Sequence, residues 1–501
     1  MAVTISTIGY TGWQTHKVLL TGESTRGKPG LQLIGFPSQV STQLKSLIPT
    51  ACKVQGISLP ARKIAITIQP SISKVAHLYS LSFPVAVLLL ALANHIPIPS
   101  CNRVFVGEVT LDGSLTAPMP LESYLAAARA LGCTDLTIPQ AVLSSLFSYL
   151  STNLKISCPT TLLDFCTHER LNQSHPLLNI APTILPKRIA EPGFESIRGR
   201  WQVKRALTLA VAGRHHTLLV GPPGVGKTQI ALVAQTLQPD LTPPEQVTNS
   251  TLSALAGEPK AASVQSPFRT PTHRSSLTQL LGSGITATPG EISLANAGIL
   301  FLDELSEFSN SVLAGLRQPM ETGTVPVLSN STYPASATII AVTNPCRCNQ
   351  KQQDKDVCSC DKSNLAYRRK LGGALLDRFG LHCILTPNKA TELITFPPDK
   401  YSTTDLQSHI LSARQRQHER YHSLPWQTNG WASAHYLLDH CLKNSETKEY
   451  YMLVTKKHSG SVRWHRHLLS IARTIADLES NPIVLPDHIA EALQYRPELE
   501  Y

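Results

Sequence analysis

No stretch of this 501-residue sequence is apolar over a length that would cross a bilayer. The longest apolar run, FPVAVLLLALA at 83–93, falls short of the ~18 residues a spanning helix needs. It is expected as a buried helix. The N-terminus, MAVTISTIGYTGWQ, lacks a basic stretch followed by an apolar segment, so no secretory signal is expected. These two absences argue for a cytoplasmic, reducing location without a membrane partner. Scattered cysteines such as Cys52, Cys133 and Cys441 are then expected as buried thiols, not disulfides. Charge is sparse as well: 16% charged against 42% hydrophobic residues excludes a disordered chain. Internal repeats and low-complexity tracts are missing. The length exceeds one ordinary core and predicts two or three domains.

The charge that is present is uneven. The formal net charge is +11. Residues 1–190 hold 14 basic against 7 acidic side chains, 191–400 hold 20 against 16, and 401–501 hold 11 of each. Such an excess suits a polyanionic partner, because Lys and Arg replace phosphate counterions. A mildly positive solvated surface explains it too.

Short β-branched runs (KIAITIQP, VFVGEVTL, TDLTIP) alternate with a helical one (SYLAAARALG) up to about residue 170, predicting an α/β or α+β domain over 1–170. A proline-punctuated linker is expected over 171–195. Strand-like runs followed by chemically suggestive loops fill 196–400, and helical patterns fill 401–501.

The strongest local signal is TLLVGPPGVGKTQIALVA. A β-branched strand runs into Gly221, Pro222, Pro223, Gly224, Val225, Gly226, Lys227 and Thr228, then into a helix. Glycines at 221, 224 and 226 let the backbone wrap a phosphate. The helix N-terminus adds aligned N–H groups, Lys227 reaches the β- and γ-phosphates, and the Thr228 hydroxyl suits Mg²⁺. A second strand in AGILFLDELSEF ends in Asp303 and Glu304, a magnesium-shell carboxylate and a residue to orient or deprotonate the attacking water. A surface acidic pair is the competing reading. A third strand in ATIIAVTNPC delivers Asn344, whose amide suits a γ-phosphate or lytic-water contact without adding charge. Arg378 in GGALLDRFGL is a candidate arginine finger for a neighbouring subunit's ATP, against a simple Asp377–Arg378 ion pair. Arg463 opens a C-terminal helix and is a candidate γ-phosphate contact from a lid.

Order and spacing of these pieces resemble an AAA+ ATPase. The strings TPGEISLANAGILFLDELSEFSNSVLAGLRQPMETG, NPCRC, LLDRFGLH and ARTIADLE…HIAEALQYR resemble the ComM/YifB-type magnesium-chelatase-like AAA+ proteins. LQLIGFPSQ and FVGEVTLDGSL resemble the Lon-protease-like domain that opens such proteins. The resemblance implies an α/β chain with a Lon-like α+β domain, a P-loop NTPase core and a helical lid. It also implies ATP and Mg²⁺ as ligands and a homo-hexameric ring. The implied activity is a DNA helicase promoting branch migration on single-stranded and branched DNA during natural transformation, alongside recombination proteins. A chelatase-type motor remodelling a protein partner is the alternative. By motif, Arg378 becomes the trans-acting finger and Arg463 the sensor-2 arginine. Tyr124 stands where a Lon-type protease would need its lysine base, and Ser82 lies near the serine position, so the N-terminal domain is expected to be non-proteolytic.

Two loops are candidates for DNA contact. SPFRTPTHRSS offers Arg269, His273 and Arg274. A hairpin is expected in TVPVLSNSTYPAS, but its tip, Ser329-Asn330-Ser331, lacks the basic residues common in relatives. Finally, CRCNQKQQDKDVCSC places Cys346, Cys348, Cys358 and Cys360 in one polar stretch. Four thiolates could close a structural Zn²⁺ site, with free thiols or redox-labile disulfides as competing readings. Metal analysis of protein purified without chelator separates them. One zinc per chain is the expected result; no zinc, with all four thiols freely alkylated, excludes the site.

Overall fold

A computed structural model describes residues 2–11, 14–69, 81–100, 102–118, 121–140, 154–171, 193–197, 199–258, 263–283, 288–328, 331–344, 370–385, 402–457 and 461–496. The first half is built on strands β1 (Ala2–Thr11), β2 (Gln14–Thr25), β3 (Gly30–Ile34), β4 (Lys63–Gln69) and β5 (Arg103–Phe105), a small β6–β7 ribbon (Glu108–Val109, Leu115–Thr116), β8 (Asp135–Thr137) and β9 (Lys155–Ser157). The mixed sheet runs β3-β4-β2-β1-β5-β8-β9. The apolar run becomes the helix Ser82–Leu92, in which every residue is buried. It fits because Gly22 on β2 leaves room: a Cβ there would lie 2.9 Å from Leu88 and Leu92. No helix among the described residues is long and apolar enough to cross a membrane.

The second half carries β10 (Thr217–Val220), β11 (Phe268–Arg269), the ribbon β12–β13 (Gly282–Ser283, Thr288–Pro289), β14 (Ile299–Leu302), the hairpin β15–β16 (Thr324–Leu328, Ser331–Pro334), β17 (Thr338–Thr343) and β18 (Leu381–Ile384). Five of these form an all-parallel sheet in the order β11-β14-β17-β10-β18. β14 and β17 are buried along their whole length, as a sheet covered on both faces requires. Leu219, Phe301 and Ile340 belong to one core, and Leu218, Leu300 and Ile339 to the other. The expected hairpin is present as β15–β16, with its tip residues 329–330 outside the described part. The helix Leu121–Ala130 of the first half packs on Pro243–Leu255 of the second, and Val247 joins the cluster around Tyr10 and Tyr124.

Helices Thr403–Tyr421, Ala434–Cys441, Val462–Leu478 and Pro486–Gln494 fall where the C-terminal patterns predict. Ser445–Lys457 was not predicted; its polar sequence, SETKEYYMLVTKK, shows little apolar periodicity. Cys52, Cys133 and Cys441 are free thiols, and burial pushes Cys52 up to about 11 and Cys441 up to about 12.

Helical segment and sheet meet over buried histidines. The Thr474 hydroxyl donates to Ser470 O, so His215 donates to Thr474 Oγ1 through Nε2 at 2.7 Å. His215 Nδ1 is buried without a partner, so a proton there would be unsatisfied. Burial pushes His215 down to about 3, and His216 and His382 down to about 4. Each folded value lies below the unfolded one of about 6.5. Their stabilisation is therefore complete above that value and is lost as pH falls toward 4. Acidification from pH 7 to 5 is expected to cost about 2 kcal/mol per group. Calorimetric melting temperature should fall over this range, with a shallower slope in His215→Gln. A flat profile contradicts the assignment.

Candidate nucleotide site

Strand register brings the P-loop and both downstream polar residues to one sheet edge. Val220 pairs with Thr343, and Leu302 with Ala341. The residues after the three strand ends are Gly221, Asn344 and Asp303. Gly224 and Gly226 both have φ of +80°, the left-handed region that favours glycine. Gly221 serves another purpose. Its φ is not left-handed, and a Cβ there would meet Leu385 Cβ and O at 2.9 Å. It keeps the strand end packed against the segment leaving β18.

Lys227, first residue of the helix Lys227–Thr236, donates to Gly221 O (2.6 Å), Pro222 O (2.9 Å) and Asn344 Oδ1 (2.7 Å). Burial pushes its ammonium below the ordinary lysine value, opposed by the charges of Asp303 and Glu304. Thr228 Oγ1 donates to Asp303 Oδ2 at 3.0 Å. The site thus pairs an oxygen ligand from the loop with one from the acidic strand, a donor set that suits a hard cation such as Mg²⁺. Glu304 adopts φ 52° and ψ 53°, a left-handed conformation costing a side-chain-bearing residue about 1–2 kcal/mol. Its amide donates to Asp303 Oδ1 at 3.0 Å, which fixes this turn. This strained turn sets Glu304 directly after Asp303 at the same strand end.

Arg378 and Arg463 come together elsewhere. β18 runs parallel to β10, with Leu381 opposite Thr217 and Ile384 opposite Val220. Arg378 precedes β18, so it lies beyond the opposite edge of the sheet, at least about 10 Å along the strands from the chain's own P-loop. There it donates to Arg317 O (2.9 Å), to Ala374 O and to Glu321 Oε2 (2.8 Å). Arg463 also binds Glu321, with Nη2 at 2.8 Å from Oε1. Sequence reasoning missed Glu321; nothing local in RQPMETG distinguishes it from any surface acid.

Comparison with known proteins shows the family of the chain. Residues 193–393 match the family described as magnesium chelatase, subunit ChlI; residues 400–496 match the ChlI C-terminal family; and residues 22–142 match the family described as subunit ChlI of Mg-chelatase. The YifB protein of Escherichia coli K12 is 32% identical over 489 residues, 94% of this chain and 92% of its own length. The chain belongs to the magnesium-chelatase-like proteins of the ComM/YifB type. Competence protein ComM of Haemophilus influenzae is 29% identical over 500 residues, covering 97% of this chain and 95% of ComM. This is an AAA+ ATPase family, and ATP with Mg²⁺ fits the loop, lysine and oxygen donors described above.

The other candidate residues fare differently in this ComM/YifB-type chain. Arg269 is not a free cation: its Nε lies 2.7 Å and its Nη2 3.0 Å from Glu291, and its Nη1 lies 3.5 Å from Glu258. The hydrogen bond to Glu291 is the main cause holding its pKa above the ordinary arginine value. It staples edge strand β11 to the helix Glu291–Leu294, so it stands at the end of a short strand and not in the open loop. His273 and Arg274 are exposed on the following turn. Tyr124 is buried against Tyr10, and the buried Ser82 hydroxyl accepts from the Val109 amide at 2.9 Å. Cys346, Cys348, Cys358 and Cys360 lie outside the described residues; among those described, no group of three or more metal-ligating side chains occurs.

Proposed function

We propose that the chain is one subunit of a homo-hexameric, ATP-driven DNA helicase or translocase that promotes branch migration on single-stranded and branched DNA during homologous recombination in natural transformation. The observation that carries this reading is the division of the site. Phosphate loop, Asp303, Glu304 and Asn344 share one edge of the sheet, while Arg378 and Arg463 share the other. A ring in which one subunit's arginines face the next subunit's nucleotide would complete every site. The similarity to a competence protein supports the DNA assignment.

In this reading the loop amides and Lys227 bind the triphosphate, and Thr228 and Asp303 would hold Mg²⁺, which would neutralise charge developing on the phosphates. Glu304 orients the attacking water and takes up its proton as the bond from Pγ to the bridging oxygen breaks, giving ADP and phosphate. Asn344, released from Lys227 by the phosphate, hydrogen-bonds the γ-phosphate or the water. The N-terminal domain is read as a non-proteolytic, Lon-like collar that guides DNA, and the C-terminal helices as the lid. Remodelling of a protein partner is the competing function, and the pairing of Arg269 with Glu291 favours it by removing one cation from the DNA loop.

The test is ATPase activity with and without single-stranded and forked DNA. DNA is expected to stimulate the natural sequence, while Glu304→Gln binds ATP without turnover. Absence of both DNA binding and stimulation would move the protein-remodelling function ahead.

A further inference from the structure

Glu321 sits where three separate segments meet. It belongs to the short helix Pro319–Thr322; Arg378 follows the helix Gly373–Leu376; and Arg463 opens the helix Val462–Leu478. One carboxylate therefore ties the sheet domain to the C-terminal helices. Arg463 reaches it through Nε (3.1 Å from Oε1) and Nη2 (2.8 Å from Oε1, 3.1 Å from Oε2), while Arg378 Nη2 holds Oε2 at 2.8 Å. Asp377 supports the same corner: its carboxylate lies 3.9 Å from Arg463 Nη1 and 3.5 Å from Arg496 Nη2, and it accepts from Ser461 Oγ. Three guanidiniums thus surround two carboxylates, and the corner keeps a positive excess.

Two guanidiniums side by side repel each other and would otherwise spread into solvent. A shared carboxylate removes that repulsion and sets both in fixed directions. Arg463 stays 40% exposed and Arg378 12%, so the pair forms one firm cationic face with an accessible rim. Burial alone would raise the Glu321 pKa, but hydrogen bonding from Arg463 and the charge of Arg378 outweigh it and keep the group ionised.

We propose that Glu321 is the positioning residue that gathers Arg378 and Arg463 into a single anion-receiving face for the triphosphate of a neighbouring subunit. This rests on the reading that the two arginines act between subunits. Glu321 touches no nucleotide; it acts through the arginines. Gly323, with φ of +66°, ends its helix, and β15 begins at Thr324, so the residue also stands at the root of the β15–β16 hairpin.

The test is steady-state ATPase activity of the assembled full chain. Glu321→Gln is expected to lower kcat by at least about tenfold, a fraction of what an arginine finger contributes, with KM for ATP within about twofold. Glu321→Asp, which keeps the charge on a shorter arm, should lie between Gln and the natural residue. Glu321→Gln chains are then mixed with Lys227→Ala chains, whose arginines are intact. Turnover should rise above that of either variant alone, because the intact P-loop of one meets the intact arginines of the other. A purely structural lesion in the Glu321→Gln chain would not be relieved in this way. Arg378→Ala mixed with Lys227→Ala is the control. Recovery in the control without recovery for Glu321→Gln overturns the role of Glu321 and leaves the shared site standing. No recovery in the control overturns the shared site itself. A natural kcat in Glu321→Gln, or in Glu321→Asp should the Gln variant not fold, also overturns the proposal.

Discussion

Parallel pairing of three apolar strands decides where every polar group of the nucleotide site can stand. β10, β17 and β14 carry almost no polar side chain along their length, so both faces are buried and the register has little freedom to slip. Polar residues can appear only where the strands stop. β10 and β17 stop level with each other and β14 two residues short of them, and this lets Lys227 reach Asn344 and Thr228 reach Asp303. A one-residue slip of β17 would turn buried side chains the wrong way and pull the amide of Asn344 out of reach of the lysine.

The same parallel geometry keeps Arg378 from its own P-loop. A residue that precedes a strand lies at the edge opposite to one that follows its neighbour, and four-residue strands are long enough to separate them. The arginines are therefore anchored to Glu321 and Asp377 at the far edge, one from the sheet domain and one from a C-terminal helix. A chain built this way holds two half-sites of opposite character. One is rich in backbone donors and carboxylates for a metal-bound triphosphate, and the other is rich in guanidiniums. In the proposed ring, closed rotational symmetry would bring such halves together at every interface.

Much of the nucleotide half was legible in the sequence because its signals are local. The glycines, Lys227 and Thr228 lie within eight residues, and Asp303, Glu304 and Asn344 each end a run of β-branched or apolar residues. The purpose of Gly221 was not legible, because it depends on Leu385, far along the chain. The partners of Arg269 were hidden for the same kind of reason. Only the fold brings Glu291, 22 residues downstream, beside it. Glu321 is the reverse case, since its two partners come from positions 57 and 142 residues downstream. The helix Ser445–Lys457 escaped because its apolar face is narrow; only Thr447, Tyr451 and Val454 are buried.

A direct measurement of the central claim is ATP turnover per chain as protein concentration is raised through the range in which sedimentation shows assembly. Turnover per chain is expected to be near background in the monomer and to climb in step with the assembled fraction. Full turnover by a strictly monomeric chain would show that the arginines of Glu321 are not needed from outside, and would contradict the account.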